Sequence, residues 1–98
     1  MTTATIDIIE IEDRIIGDIL LDGLDLADLG FEREQINGDT PLFDEVDGLG
    51  LDSLAALEVA VAVQQKFGFK IEKLDRAFFE QNCSTVAALT RYVAGRLS

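Results

Sequence analysis

Apolar side chains return at steps of three and four through three separate stretches of this chain, and that spacing limits it to a helical fold. The clearest stretch is Ser53 to Phe67. There Leu54, Leu57 and Val61 share one stripe, Ala56, Ala60, Val63 and Phe67 share the adjacent one, and Gly68 supplies the C-terminal stop. With so much of its circumference apolar, this helix is expected to be central, touched by the others on several sides. Upstream, Ile8, Ile11, Ile15 and Ile19 repeat the spacing and Ile9, Ile16 and Leu20 widen the stripe, while Asp7, Glu10, Asp13, Arg14 and Asp18 take the other side. Isoleucine is β-branched and would suit a strand, but the period decides for a first helix from about Thr5 to Leu21, with Gly17 its weak interior position. Leu74 to Phe79 supports a short helix with Phe78 and Phe79 turned inward. Ser84 or Thr85 caps a last one carrying Val86, Leu89, Val93 and Leu97, with Arg91 and Arg96 near its end, where the helix dipole favours cations. Three long helices and one short one make an all-α bundle.

Between the first two long helices, from Asp22 to Asp52, the period dissolves into glycines, Pro41 and acidic residues. A connection of this length in a small domain is usually functional. Leu24, Leu26, Leu29, Phe31, Ile36, Leu42 and Phe43 are spread along it, so the loop is expected to be pinned to the core, with a helical turn near Leu26 or Glu32.

A length of 98 residues suits a single domain spanning 1–98. Eight Lys and Arg against nineteen Asp and Glu leave a net charge of −11. Such a surface repels phosphate backbones and anionic lipid, which excludes nucleic acid and favours proteins with basic surfaces as partners. The chain has no histidine, so it cannot assemble a Ser-His-Asp or Cys-His site, and it lacks the commonest metal ligand. Acidic clusters at Asp22-Gly23-Leu24-Asp25 and Asp44-Glu45-Val46-Asp47 miss the ligand spacing of an EF-hand loop, and no metal site is expected. Cys83 stands alone, cannot form an internal disulfide, and reads as a small buried apolar residue with no neighbouring cation to stabilise a thiolate. Met1 to Thr5 lacks a basic leader region, and charge interrupts every apolar stretch before the roughly 18 residues a membrane span needs. A cytoplasmic monomer is the expectation.

One segment is locally unusual. Gly48-Leu49-Gly50-Leu51-Asp52-Ser53-Leu54 delivers a serine on a flexible acidic loop to the first turn of the most apolar helix. Two readings of it stand on physics alone. Asp52 or Ser53 can serve as a plain N-cap, worth about 1 kcal/mol. Alternatively, Ser53 can carry a phosphate, which unpaired N–H groups and the positive end of the dipole would stabilise.

Asp39-Thr40-Pro41-Leu42-Phe43, then Gly50-Leu51-Asp52-Ser53-Leu54, then Leu57-Glu58 and Phe67-Gly68, in that order and spacing, resemble the acyl carrier protein family, over about Ile6 to Leu97. The resemblance implies a four-helix bundle with a long loop between helices 1 and 2. It implies 4′-phosphopantetheine, taken from coenzyme A, joined covalently to Ser53 through a phosphodiester. A phosphopantetheinyl transferase using Mg²⁺ would install it, with Asp52 helping recognition and Leu54 matching the family's apolar position after the serine. A carrier of thioesters needs no acid, base or nucleophile of its own, so no enzymatic activity is expected. The implied partners are that transferase and the acyl-transferring and chain-elongating enzymes of fatty acid, polyketide or related lipid biosynthesis, through basic docking surfaces.

The departures from the family pattern are informative. Carboxylates usual along the second helix are reduced to Glu58, and the helix end reads Gln64-Gln65-Lys66. Rim charges tune association rate and partner choice, so a specialised carrier with dedicated partners is expected. Asp44, Glu45 and Asp47 in the loop could replace the missing negative patch. Small residues on the second helix suggest an acyl-chain pocket lined by Leu57, Ala60, Val61 and Val63, with close packing as the alternative. Two other functions remain open: a peptidyl or aminoacyl carrier, and an unmodified acidic helical interaction module.

Overall fold

The computed structural model describes residues 8–97. The expected start of the first helix, from Thr5 to Asp7, lies outside the described residues. Four α-helices follow in order: α1 (Ile8–Arg14), α2 (Ser53–Phe67), α3 (Arg76–Asn82) and α4 (Val86–Leu97). No strand occurs among the described residues, and Pro41 and Thr85 form one isolated antiparallel bridge. The architecture is the all-α bundle expected from the spacing.

The first helix departs from the expected geometry after Arg14. From Ile15 to Gly23 it continues as a wider π-helix, ending with the Leu24 N–H donating to the Ile19 carbonyl five residues back, at 3.0 Å. Gly17 and three β-branched isoleucines give this stretch little preference for α geometry, so tertiary burial decides. The wider turn brings positions four and five apart onto one face, and Ile15, Ile16, Ile19 and Leu20 all sink into the core. This stretch is flanked by α2, by α4 and by a short 3₁₀ turn at Leu26–Leu29, and four of its side chains are buried.

Helix α2 has the expected bounds but a different orientation of its stripes. Ala56, Val59, Ala60 and Val63 are buried, whereas Leu54, Leu57 and Val61 are 66%, 42% and 44% exposed. The small Ala56 and Ala60 allow the buried face to come close to its neighbours. The other face lacks a long covering helix, because α3 has only seven residues. The helix expected to be touched on several sides therefore keeps an apolar face in solvent, and the π-helical stretch takes the central place. Lys66 pairs with Asp18 at 2.8 Å, tying the two together.

Leu26, Ile36 and Leu42 pin the long loop to the core as expected, while Leu29 is exposed. A helical turn is expected near Leu26 or Glu32, and turns form at both places, Leu26–Leu29 and Arg33–Gln35. The second is held by a reciprocal cap in which Glu32 accepts from the backbone and the Gln35 side chain accepts from the Glu32 N–H at 2.8 Å. Thr85 caps α4, accepting the Ala88 N–H on its hydroxyl at 3.1 Å. A series of edge-to-face rings runs from Phe43 in the loop through Phe79 and Phe78 of α3 to Tyr92 of α4 and on to Phe69. These contacts fix the loop and the short helix relative to α4.

Candidate functional site

The loop before α2 is held to the start of α4 by that helix's own first N–H groups. Ala87 donates to the Gly38 carbonyl at 2.8 Å and Val86 to the Thr40 carbonyl at 3.1 Å, while the Leu42 N–H donates back to Ser84 at 3.0 Å. The carbonyls of Pro41 and Leu42 then accept from Leu49 and Leu51, at 3.0 and 2.9 Å, closing the acidic turn into a ring just ahead of Ser53. Gly48 sits against the Pro41 backbone, where a Cβ would overlap the carbonyl. Gly50 adopts a φ of 63°, in the left-handed region that favours glycine.

Asp44 organises the turn. Its carboxylate accepts the N–H groups of Val46 at 2.8 Å and Asp47 at 3.0 Å, and its carbonyl accepts those of Gly48 and Gly50 at 3.1 Å. The backbone N–H of Asp47 foremost, and that of Val46, hold the Asp44 carboxyl below its ordinary 3.8. A carboxylate held low in the folded state contributes stability that is present at neutral pH and lost as pH falls through its folded value. Asparagine keeps the acceptor without the charge, so the stability difference between wild type and Asp44→Asn is expected to be full at neutral pH and to vanish in strong acid. Urea melts across the acid range check this, and a difference that stays constant with pH would contradict it.

Ser53 opens α2. Its neighbour Asp52, in extended backbone, accepts the Ala55 N–H on its carboxylate at 2.8 Å and the Ala56 N–H on its carbonyl at 2.9 Å. Of the two capping readings, the structure gives the role to Asp52. The exposed Ser53 hydroxyl has no hydrogen-bond partner among the described residues.

Beside Ser53 lies an open groove of about 680 Å³ between α2, the loop and α3. Phe43, Leu51, Leu57, Leu74 and Phe79 form its apolar wall. Asp52, Asp75, Arg76 and Glu80 add charge around it. Asp75 caps α3 by accepting the Phe78 N–H at 2.9 Å, which foremost holds its carboxyl below the ordinary range. Arg76 donates from Nε to Glu80 at 3.0 Å.

Among the residues singled out in the sequence, Ser53, Asp52 and Leu57 line this groove. Leu54 and Glu58 are exposed on α2 outside its lining, and Asp44, Glu45 and Asp47 are exposed at the turn. Leu57, Ala60, Val61 and Val63 do not share one surrounding: Ala60 and Val63 are core, Val61 faces solvent, and only Leu57 reaches the groove. Phe43 and Leu51 belong to the motif segments themselves and could have been read as groove residues. Leu74, Arg76 and Phe79 carry no such signal, because they arrive by tertiary folding.

Cys83 is buried, and burial pushes its thiol up to about 12. It is expected to resist thiol reagents in the native protein and to react fully on denaturation, as counted by a chromogenic disulfide reagent. Rapid native labelling at Cys83 would show that the interior opens readily. Among the described residues, no group of His, Cys, Asp and Glu is arranged to hold a metal ion, and no helix is long and apolar enough to cross a membrane.

An exposed serine with a free hydroxyl, at the mouth of a groove with apolar walls and a cation, suits covalent attachment of a long phosphate-linked arm. Residues 26–93 match a protein-family model described as phosphopantetheine attachment site. No curated protein and no solved structure matches the chain. Because that match spans most of a helical bundle of the kind found in acyl carrier proteins, the chain belongs to the phosphopantetheine-attachment family, whose domain is the site of covalent 4′-phosphopantetheine attachment.

Proposed function

We propose that this chain is a single, non-catalytic acyl carrier unit over residues 1–98, with 4′-phosphopantetheine attached at Ser53. The observation that carries the assignment is the division of labour at the start of α2: Asp52 caps the helix and leaves the adjacent Ser53 hydroxyl exposed and unpartnered among the described residues. The arm supplies a terminal thiol that forms thioesters. The chain's own residues position it: Asp52 fixes the first turn, and the ring closed by Pro41 and Leu42 holds the loop that leads into it. The missing histidine fits a carrier that leaves the chemistry to its partners.

Partner choice follows from the surface. Glu58 is exposed on α2, Gln64 is engaged in holding the Ile71 N–H at 2.7 Å, and Lys66 is paired with Asp18. The end of α2 thus offers no acidic patch, whereas Asp44, Glu45 and Asp47 present three carboxylates on the turn leading to Ser53. That layout supports the reading of a specialised carrier that docks through this turn and Glu58 on basic surfaces of a transferase and of acyl-transferring or chain-elongating enzymes; its expected compartment is the cytoplasm. The net charge of −11 favours acyl carriage over peptidyl or aminoacyl carriage, and the family match speaks against an unmodified interaction module.

The test is incubation with coenzyme A, Mg²⁺ and a broad-specificity phosphopantetheinyl transferase, followed by intact mass and peptide mapping. One phosphopantetheine increment on the peptide containing Ser53 is the expected result. An unchanged mass with several transferases, or an increment mapped elsewhere, would overturn the assignment.

A further inference from the structure

We propose that Arg76 is a positioning residue for the phosphodiester at Ser53, holding the base of the attached arm against the groove. This rests on Ser53 being the attachment point. Among the described residues lining the groove, Arg76 is the only cation, and Asp52, Asp75 and Glu80 line it as well. A phosphodiester at Ser53 adds a further negative charge to a site where carboxylates already outnumber bases, in a chain of net charge −11. With no cation present, that repulsion would drive the arm away from the groove into solvent.

The geometry of the guanidinium suits the task. Arg76 is exposed, and its bond to Glu80 is made from Nε, so its two terminal nitrogens are not committed to that contact. The pair with Glu80 is an exposed i,i+4 contact of the kind that contributes little to stability and gives way to a better acceptor. A phosphodiester presents two non-bridging oxygens, which a planar guanidinium can engage as a fork, whereas a lysine ammonium acts as a point charge. The rest of the arm would then start along the apolar wall formed by Phe43, Leu57 and Phe79.

The test uses the whole chain, modified enzymatically, as wild type, Arg76→Gln, Arg76→Lys and Arg91→Gln. Arg91 is an exposed base on α4 outside the groove lining, so its variant removes the same charge elsewhere. Peptide mapping first establishes that each protein carries the group on Ser53, and ³¹P spectra are then recorded at low and high salt. The phosphodiester resonance of wild type is expected to differ from that of Arg76→Gln, to coincide with that of Arg91→Gln, and to move toward the Arg76→Gln position as salt screens the contact. Arg76→Lys should fall between. Coincident wild-type and Arg76→Gln resonances, with the group mapped to Ser53, would overturn the role of Arg76 alone. A group that maps elsewhere would overturn the attachment assignment and this inference with it.

Discussion

Ser53→Ala is expected to abolish phosphopantetheinylation completely while leaving the bundle intact. In this assignment the serine hydroxyl attacks the phosphorus that bears the pantetheine, the pyrophosphate bond of coenzyme A breaks and adenosine 3′,5′-bisphosphate leaves. Alanine has no hydroxyl to offer, so the loss is all or none. Stability is a separate matter, because the cap belongs to Asp52, whose carboxylate receives the Ala55 N–H. The Ser53 side chain is exposed and makes no hydrogen bond among the described residues, and alanine is the better helix former. The change in folding free energy should therefore stay within about 0.5 kcal/mol, as for surface positions without special roles. Intact mass after transferase treatment and a thermal melt of the same sample measure the two effects separately. A variant that still gains the arm would place the attachment at another residue, and one that fails to fold would show that Ser53 carries structural weight.

Gly48→Ala is expected to damage both the fold and the modification, although it leaves Ser53 and its immediate neighbours unchanged. An added Cβ would collide with backbone atoms of Pro41, which cannot rotate aside as a side chain can. Relief requires the turn to open, and the bond from the Leu49 N–H to the Pro41 carbonyl is the first contact in its way. Overpacking of this kind costs about 1–3 kcal/mol, and each kcal/mol lowers the melting temperature of a domain this size by roughly 4–8 °C. The same Pro41–Leu42 segment is bonded to the start of α4, so disturbance there loosens the whole approach to α2. Modification by the transferase should slow accordingly. Gly50→Ala is the useful comparison, since its left-handed φ costs about 1 kcal/mol without a comparable backbone collision. Equal melting of Gly48→Ala and wild type would show that the turn is not held as tightly as the hydrogen bonds indicate.

The legible parts of the fold were those set by neighbours in sequence. The bounds of α2 follow from Asp52 before it, Gly68 after it and the apolar period between, and the structure ends the helix at Phe67 with Gly68 at a φ of 78°. The turns at Leu26–Leu29 and Arg33–Gln35 and the Thr85 cap have equally local causes. The π-helical stretch was not legible, because its isoleucines satisfy an α period just as well and only their common burial favours the wider turn. Nor was the choice between the two apolar stripes of α2. Leucines at 54 and 57 look more like core than alanines at 56 and 60, yet the alanines allow close packing and the leucines meet no long helix.

The sequence by itself determined a helical bundle, a long pinned loop, and a serine delivered to a capped helix, since propensity, capping and turn chemistry act over a few residues. Tertiary structure alone decided which α2 face meets solvent and how Phe43, Leu74 and Phe79 become one wall. It also decided that Arg76 stands at the same groove as Ser53. These are contacts between segments far apart in the chain, and burial and packing select them only after every element competes for the same small core.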